Sequence, residues 1–91
     1  LVAELGIFCA VSSDGTYRVS TSSDGITWTD RTASDSSVWR SVIWVPELTL
    51  FVAIASSGTN RVMTSPDGTT WTNRSASEAN SWQTVCWSPE L

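Results

Sequence analysis

Short apolar runs alternate with polar, glycine-containing turns along the chain. Ser41 to Val45 (SVIWV) is one such run, ended by Pro46-Glu47 as a turn. Leu50 to Ala55 (LFVAIA) follows and stops at Ser56-Ser57-Gly58, and Arg61 to Ser65 (RVMTS) leads into the tight turn Pro66-Asp67-Gly68. Thr69 to Arg74 (TTWTNR) completes the set before the polar loop SASEANS. Runs of this length, rich in β-branched and aromatic residues and bounded by Gly, Pro, Asn, Asp and Ser, read as strands. The pattern predicts an all-β chain built on four antiparallel strands joined by three short hairpins.

The pattern occurs twice. Sliding the chain by about 43 residues lays residues 2–48 over 45–91 without a gap, with about 26 of 47 positions identical. The matched pairs include Phe8 and Phe51, Arg18 and Arg61, Asp24 and Asp67, Trp28 and Trp71, Arg31 and Arg74, Trp39 and Trp82, and Trp44 and Trp87. Residues 1–91 thus form a single two-repeat unit, with repeats at about 2–44 and 45–87 and a short overhang at 88–91. Leu1 to Leu5 also matches Trp44 to Leu48 and Trp87 to Leu91, a partial third copy. A four-stranded antiparallel meander that repeats every 40 to 50 residues or so is the signature of a β-propeller blade. A β-helix rung is shorter, and a sandwich has no reason to repeat its sequence.

Two blades do not close a ring, because propellers need about four to eight. With strands lettered A to D from the central axis outward, the chain reads B-C-D-A-B-C-D-A, with strand B at 7–12 and the last strand A at 83–87. Donation of that last strand to a neighbouring copy completes the first blade and covers its open edge. The expected assembly is a homo-oligomeric ring by strand exchange, a six-bladed trimer being favoured over rings of eight or ten blades. If Val45 pairs with Leu50, then Trp44 faces Phe51 and Ile43 faces Val52. Carried to the seam, this register sets Cys86 of one copy opposite Cys9 of the next, the place for an interchain disulfide; the alternative is two small buried thiols.

The hairpins Ser22-Ser23-Asp24-Gly25-Ile26-Thr27-Trp28 and Ser65-Pro66-Asp67-Gly68-Thr69-Thr70-Trp71 resemble the Asp-box of sialidase-type propellers. In that motif a Ser, an Asp, a Gly and a Thr-Trp pair lie between the third and fourth strands of each blade. Here Asp and Gly are adjacent where the family commonly has one residue between them, so the motif is Asp-box-like. The resemblance implies a structural turn at Asp24, Gly25, Asp67 and Gly68, facing away from any ligand. Small two-blade lectins that trimerise into six-bladed propellers are similar in layout.

Composition narrows the chemistry. The five basic residues are all Arg, at 18, 31, 40, 61 and 74; there is no His, and nine carboxylates give a net charge of -4. Histidine catalysis and His-containing metal sites are excluded, and no metal or cofactor is expected. Isolated arginines on an acidic chain do not make a phosphate-binding surface, so nucleic acid is not an expected partner. No apolar run approaches the roughly 20 residues of a membrane span and no signal peptide is recognisable, which reads as a soluble protein with no membrane partner. A chain of this size buries only about 60 to 65% of its unfolded surface, a further reason to expect self-association.

Sialidases use clustered arginines, a Tyr with a Glu, and an acidic general acid. Here Tyr17 occurs in one repeat only, and the arginines recur symmetrically instead of converging. Asp35 and Glu78 are equivalent positions in separate repeats, whereas glycoside hydrolysis needs two carboxyls about 5 to 10 Å apart around one bond. No enzyme activity is expected. For binding, the D-to-A and B-to-C connections share one end of a blade, gathering Arg31 to Trp39, Arg74 to Trp82, Ser12 to Tyr17 and Ser56 to Asn60. Trp39 and Trp82 are candidates to stack on a sugar ring, with Arg18, Arg61, Asp35, Glu78 and Asn80 bonding its hydroxyls. Core packing is the alternative for the tryptophans. The sequon Asn73-Arg74-Ser75 lies in an expected strand and is discounted. Two functional readings remain: a non-catalytic propeller scaffold with weak, multivalent, lectin-like carbohydrate binding, or an excised, ancestral-type or engineered fragment whose only property is self-assembly.

Overall fold

The computed structural model describes residues 5–78 and 80–88. The partial repeat at 1–5, apart from Leu5, and the overhang at 88–91, apart from Ser88, lie outside the described residues. Among these residues the strands are β1 (Phe8–Val11), β2 (Val19–Ser22), β3 (Thr29–Arg31), β4 (Trp39–Val45), β5 (Leu50–Ala55), β6 (Arg61–Ser65) and β7 (Thr72–Ser75). They form two antiparallel meanders, β1-β2-β3 and β4-β5-β6-β7. The chain is all-β, and among the described residues no helix is long and apolar enough to cross a membrane.

The register of the four-stranded sheet is the expected one: Val45 pairs with Leu50, Trp44 with Phe51 and Ile43 with Val52. Two strand starts differ from expectation, each for a local reason. β4 begins at Trp39 instead of Ser41, because Trp39 opposes Ala55 and Ser41 opposes Ile54, leaving Arg40 as the extra residue of a bulge. Arg40 then donates from Nε to Ser56 Oγ at 3.0 Å while Trp39 turns inward. β7 begins at Thr72 instead of Thr69, because the Asp67 carboxylate has captured the backbone N–H groups of Thr69 and Thr70. Residues 83–87, expected as an innermost strand, carry no ladder. The equivalent strand β4 is held by β5, and among the described residues no strand follows 83–87 to play that part.

The core lies between the sheets. Phe51, Ala53, Met63, Ser65 and Trp71 share one face of the second sheet, since alternate residues of a strand point the same way, and all are buried. Opposite them stand Val19 and the partly buried Ile7, Cys9 and Val11 of the first repeat. Phe51 is the centre of this contact, with its ring 5.0 Å from Trp44 in an edge-on arrangement and 6.1 Å from Trp71. The β6-β7 hairpin rests directly on the first sheet: a Cβ added to Gly68 would lie 3.3 Å from Thr21 Cγ2 and 3.4 Å from Ile7 Cδ1.

Trp39 belongs to this core, the first of the two roles, core packing or sugar stacking, that its sequence position leaves open. Its side chain is only 1% exposed and its Nε1 donates to the Asp35 carbonyl at 3.2 Å, so no ring face is open to a ligand. Truncation should create a large cavity: Trp39→Ala is expected to cost about 3–5 kcal/mol in urea unfolding. An unchanged midpoint would mean that the ring is not buried.

Candidate functional site

A meander places successive connections at alternate ends of its sheet, so each repeat has two chemically distinct ends. The β2-β3 and β6-β7 hairpins lie at one end. The β1-β2, β3-β4 and β5-β6 connections lie at the other, together with residues 76–80 after β7.

At the hairpin end, the two turns Ser22 to Trp28 and Ser65 to Trp71 fold alike. Ser22 Oγ accepts from the N–H groups of Asp24 (3.2 Å) and Gly25 (2.8 Å) and donates to Asp24 Oδ1 at 3.0 Å. Asp24 Oδ1 accepts from Ile26 N (2.8 Å) and Thr27 N (2.9 Å), and Trp28 Nε1 donates to the Gly25 carbonyl at 3.2 Å. Ser65, Asp67, Gly68, Thr69, Thr70 and Trp71 repeat every one of these bonds. Gly25 and Gly68 have φ of +78° and +83°, where a side chain would strain the turn. Backbone donation holds both carboxyls below their ordinary value of 3.8. For Asp24 the Thr27 N–H contributes most, then that of Ile26; for Asp67 it is Thr70, then Thr69, partly opposed by desolvation. Both carboxylates are thereby committed to the turn backbone.

At the loop end, the arginines act as staples. Arg18 donates from Nε to the Gly15 carbonyl (3.0 Å) and from Nη1 to those of Ser13 (2.9 Å) and Ser37 (3.0 Å). Arg61 makes the equivalent bonds to Gly58 (3.0 Å), Ser56 (3.1 Å) and Asn80 (2.6 Å). Each thus ties its own β-hairpin loop to the long loop of the same repeat. The other three also bond neutral oxygens: Arg31 to Thr21 Oγ1, Arg74 to Thr64 Oγ1 and Arg40 to Ser56 Oγ. Asp35 is a pin between repeats. Its Oδ1 accepts from the Ser37 N–H and hydroxyl, and its Oδ2 from Asn60 Nδ2 at 3.4 Å. Glu78 and Asn80 are exposed, and Trp82, half-buried, donates from Nε1 to the Glu78 carbonyl at 3.1 Å. That bond copies Trp39 on Asp35, but Trp82 stays partly exposed where Trp39 is buried.

The structure therefore brings Trp82, Glu78, Asn80 and Arg61 together, and Arg18 and Asp35 together around Ser37. Asn60 and Ser37 were not singled out from sequence. The available signal was that each differs from its repeat equivalent, Tyr17 and Asn80 respectively. Beside Asn60, Arg61, Ser77 and Glu78 lies an open cavity of about 280 Å³, and a second, of about 240 Å³, is lined by Ile7, Thr21, Thr27 and Arg31. Both fall just under the roughly 300–1,000 Å³ usual for small-molecule pockets. Among the described residues no group of three or more His, Cys, Asp or Glu side chains could hold a metal ion. Cys9 and Cys86 are free thiols in the single chain, the first half-buried and pushed up to about 11 by desolvation, the second exposed.

Compared with protein-family models, curated proteins and solved structures, the chain matches none.

Two outcomes follow from the turn chemistry. Ser65 is fully buried and its Oγ satisfies two backbone donors, so Ser65→Ala is expected to cost about 1–3 kcal/mol by chemical denaturation. Because the Asp24 and Asp67 carboxyls are depressed on folding, their contribution is present above pH 3.8 and is lost as pH falls through their folded values. In melting curves taken between neutral pH and pH 2 or so, the Asp24→Asn/Asp67→Asn variant should start less stable and lose less on acidification. Parallel curves would contradict this assignment.

Proposed function

We propose that the chain is a non-catalytic, self-assembling β-propeller unit, two blades of a ring completed by further copies of itself, with a six-bladed trimer favoured over eight or ten blades. One observation carries this reading: the repeat equivalents of residues that pack between the two sheets are uncovered at the outer faces. Trp71 is 9% exposed inside, whereas its counterpart Trp28 is 44% exposed. Ala53 is fully buried and its counterpart Ala10 is exposed; Trp39 is buried and Trp82 only partly so.

The two outer faces are the two halves of the internal contact. A second copy docked head to tail repeats that contact, a heterologous arrangement that closes into a ring when its rotation permits. Strand β1 pairs with β2 alone among the described strands, and 83–87, which repeats most of β4, supplies the missing neighbour by strand addition. The same superposition sets Tyr17 of the incoming copy beside Glu78, where Asn60 and Asp35 meet inside the chain. Absence of catalysis is part of the proposal. The arginines are spent on neutral acceptors, and Asp35 and Glu78 stand in loops of different repeats.

Lectin-like carbohydrate binding is the second reading, favoured by the open cavity at Asn60, Arg61 and Glu78 beside the half-buried Trp82. The two readings compete for Trp82, because ring closure covers it as Trp39 is covered. In a ring the cavity keeps its polar groups, but the Trp82 ring, which donates to the carbonyl of its lining residue Glu78, is covered. Saturable quenching of tryptophan fluorescence by a simple sugar, abolished in Trp82→Ala with the native mass unchanged, would favour this reading.

Light scattering after size exclusion tests assembly. The chain is expected as a discrete multiple of its mass, three copies being favoured. Ala10→Arg should place a charge in the seam and reduce the particle to single chains that keep their β-sheet circular dichroism. A multiple that survives Ala10→Arg would contradict the proposed contact.

A further inference from the structure

We infer that the ring is locked covalently, by a disulfide between Cys9 of one copy and Cys86 of the preceding copy at every seam. This rests on the ring reading above and adds to it a modification site to which each of two copies contributes one residue. Its ground is the register seen in the complete sheet, where Ile43 and Val52 are direct antiparallel partners. The repeat offset carries Ile43 to Cys86 and Val52 to Cys9. The chain's two cysteines therefore occupy the two members of one cross-strand pair, at the only junction where that pair belongs to different copies.

Geometry and exposure agree with this placement. Directly opposed residues of antiparallel strands have Cα atoms about 4.5–5.5 Å apart, inside the roughly 4.4–6.8 Å span of disulfides. Cys9 is paired through its backbone with Thr21 of β2, so its other side is where a donated strand adds. Cys86 lies in the segment that has no strand ladder in the single chain and is exposed there.

The chemistry needs a small disulfide oxidant, such as oxidised glutathione. The exposed Cys86, as thiolate, attacks one sulfur of the oxidant, forming a mixed disulfide and releasing one thiol, which takes up the proton that Cys86 lost. Cys9 then loses its proton to solvent and attacks the Cys86 sulfur, forming the interchain bond and expelling the second small thiolate, which is protonated. Two protein thiols are oxidised and one small disulfide is reduced to two thiols. Burial keeps Cys9 mostly protonated at neutral pH, which slows its attack in the closing step.

The test uses the full chain, assembled and then incubated with oxidised glutathione. Denaturing, non-reducing electrophoresis should show covalent multiples up to the copy number of the native particle, collapsing to single chains with reductant. Peptide mapping should find Cys9 joined to Cys86. Cys9→Ser and Cys86→Ser should each abolish the ladder while the native mass persists. As a geometric control, Ile43→Cys with Val52→Cys, on a background of Cys9→Ser and Cys86→Ser, should close within one chain under the same oxidant; failure to close would overturn the register argument. Single chains with two titratable thiols from a particle of intact native mass would overturn the disulfide and leave the ring standing. A Cys9–Cys9 or Cys86–Cys86 link would overturn it as well. A monomeric native mass would overturn the ring itself, and this inference with it.

Discussion

Face-to-face packing of the two sheets around Phe51 is the contact on which the rest depends. The second sheet turns Phe51, Ala53, Met63 and Trp71 toward the first, and the β6-β7 hairpin descends far enough for Gly68 to touch Thr21 and Ile7. Phe51 and Met63 are large, fully buried side chains, each worth about 1.5–3 kcal/mol on full burial, against a domain stability of only about 5–15 kcal/mol. Without this contact each sheet is a short meander with one uncovered apolar face, which is marginal in water.

The polar machinery serves the same geometry. At one end, Asp24 and Asp67 tie the hairpins so tightly that β7 starts three residues later than its apolar pattern suggests, and this lets Trp71 fold under its own turn. At the other, Arg18 and Arg61 fasten each loop pair, and Asp35 on Asn60 joins one repeat to the next. The Asp24 and Asp67 turn bonds and the Arg18 and Arg61 staples recur in both repeats. The Asp35–Asn60 bond between repeats is formed once, at the single junction between the two described repeats. In the proposed ring, Glu78 of one copy and Tyr17 of the next take these two places.

Much of this was legible in the sequence, because an internal repeat turns one prediction into two. The strands Leu50–Ala55 and Arg61–Ser65, the pairing of Ile43 with Val52 and the clustering of the loops at one end all followed from pattern and period. What did not follow was decided by tertiary context. Trp39 sits beside a polar loop, and only the bulge at Arg40 turns it into the core. Arg18 and Arg61 read as ligand-binding groups because sequence does not reveal that their acceptors are backbone carbonyls. Residues 83–87 repeat most of β4 yet form no strand, since a strand exists only where an edge is offered to it.

Hydrogen–deuterium exchange of the backbone amides at 84–87, followed as protein concentration is raised, tests directly whether a neighbouring copy supplies the edge. With the cysteines kept reduced, protection approaching that of the β4 amides is expected once the protein assembles, lost together with assembly on dilution. Amides that exchange at unprotected rates at every concentration, while β4 stays protected, would contradict strand addition and with it the closed ring.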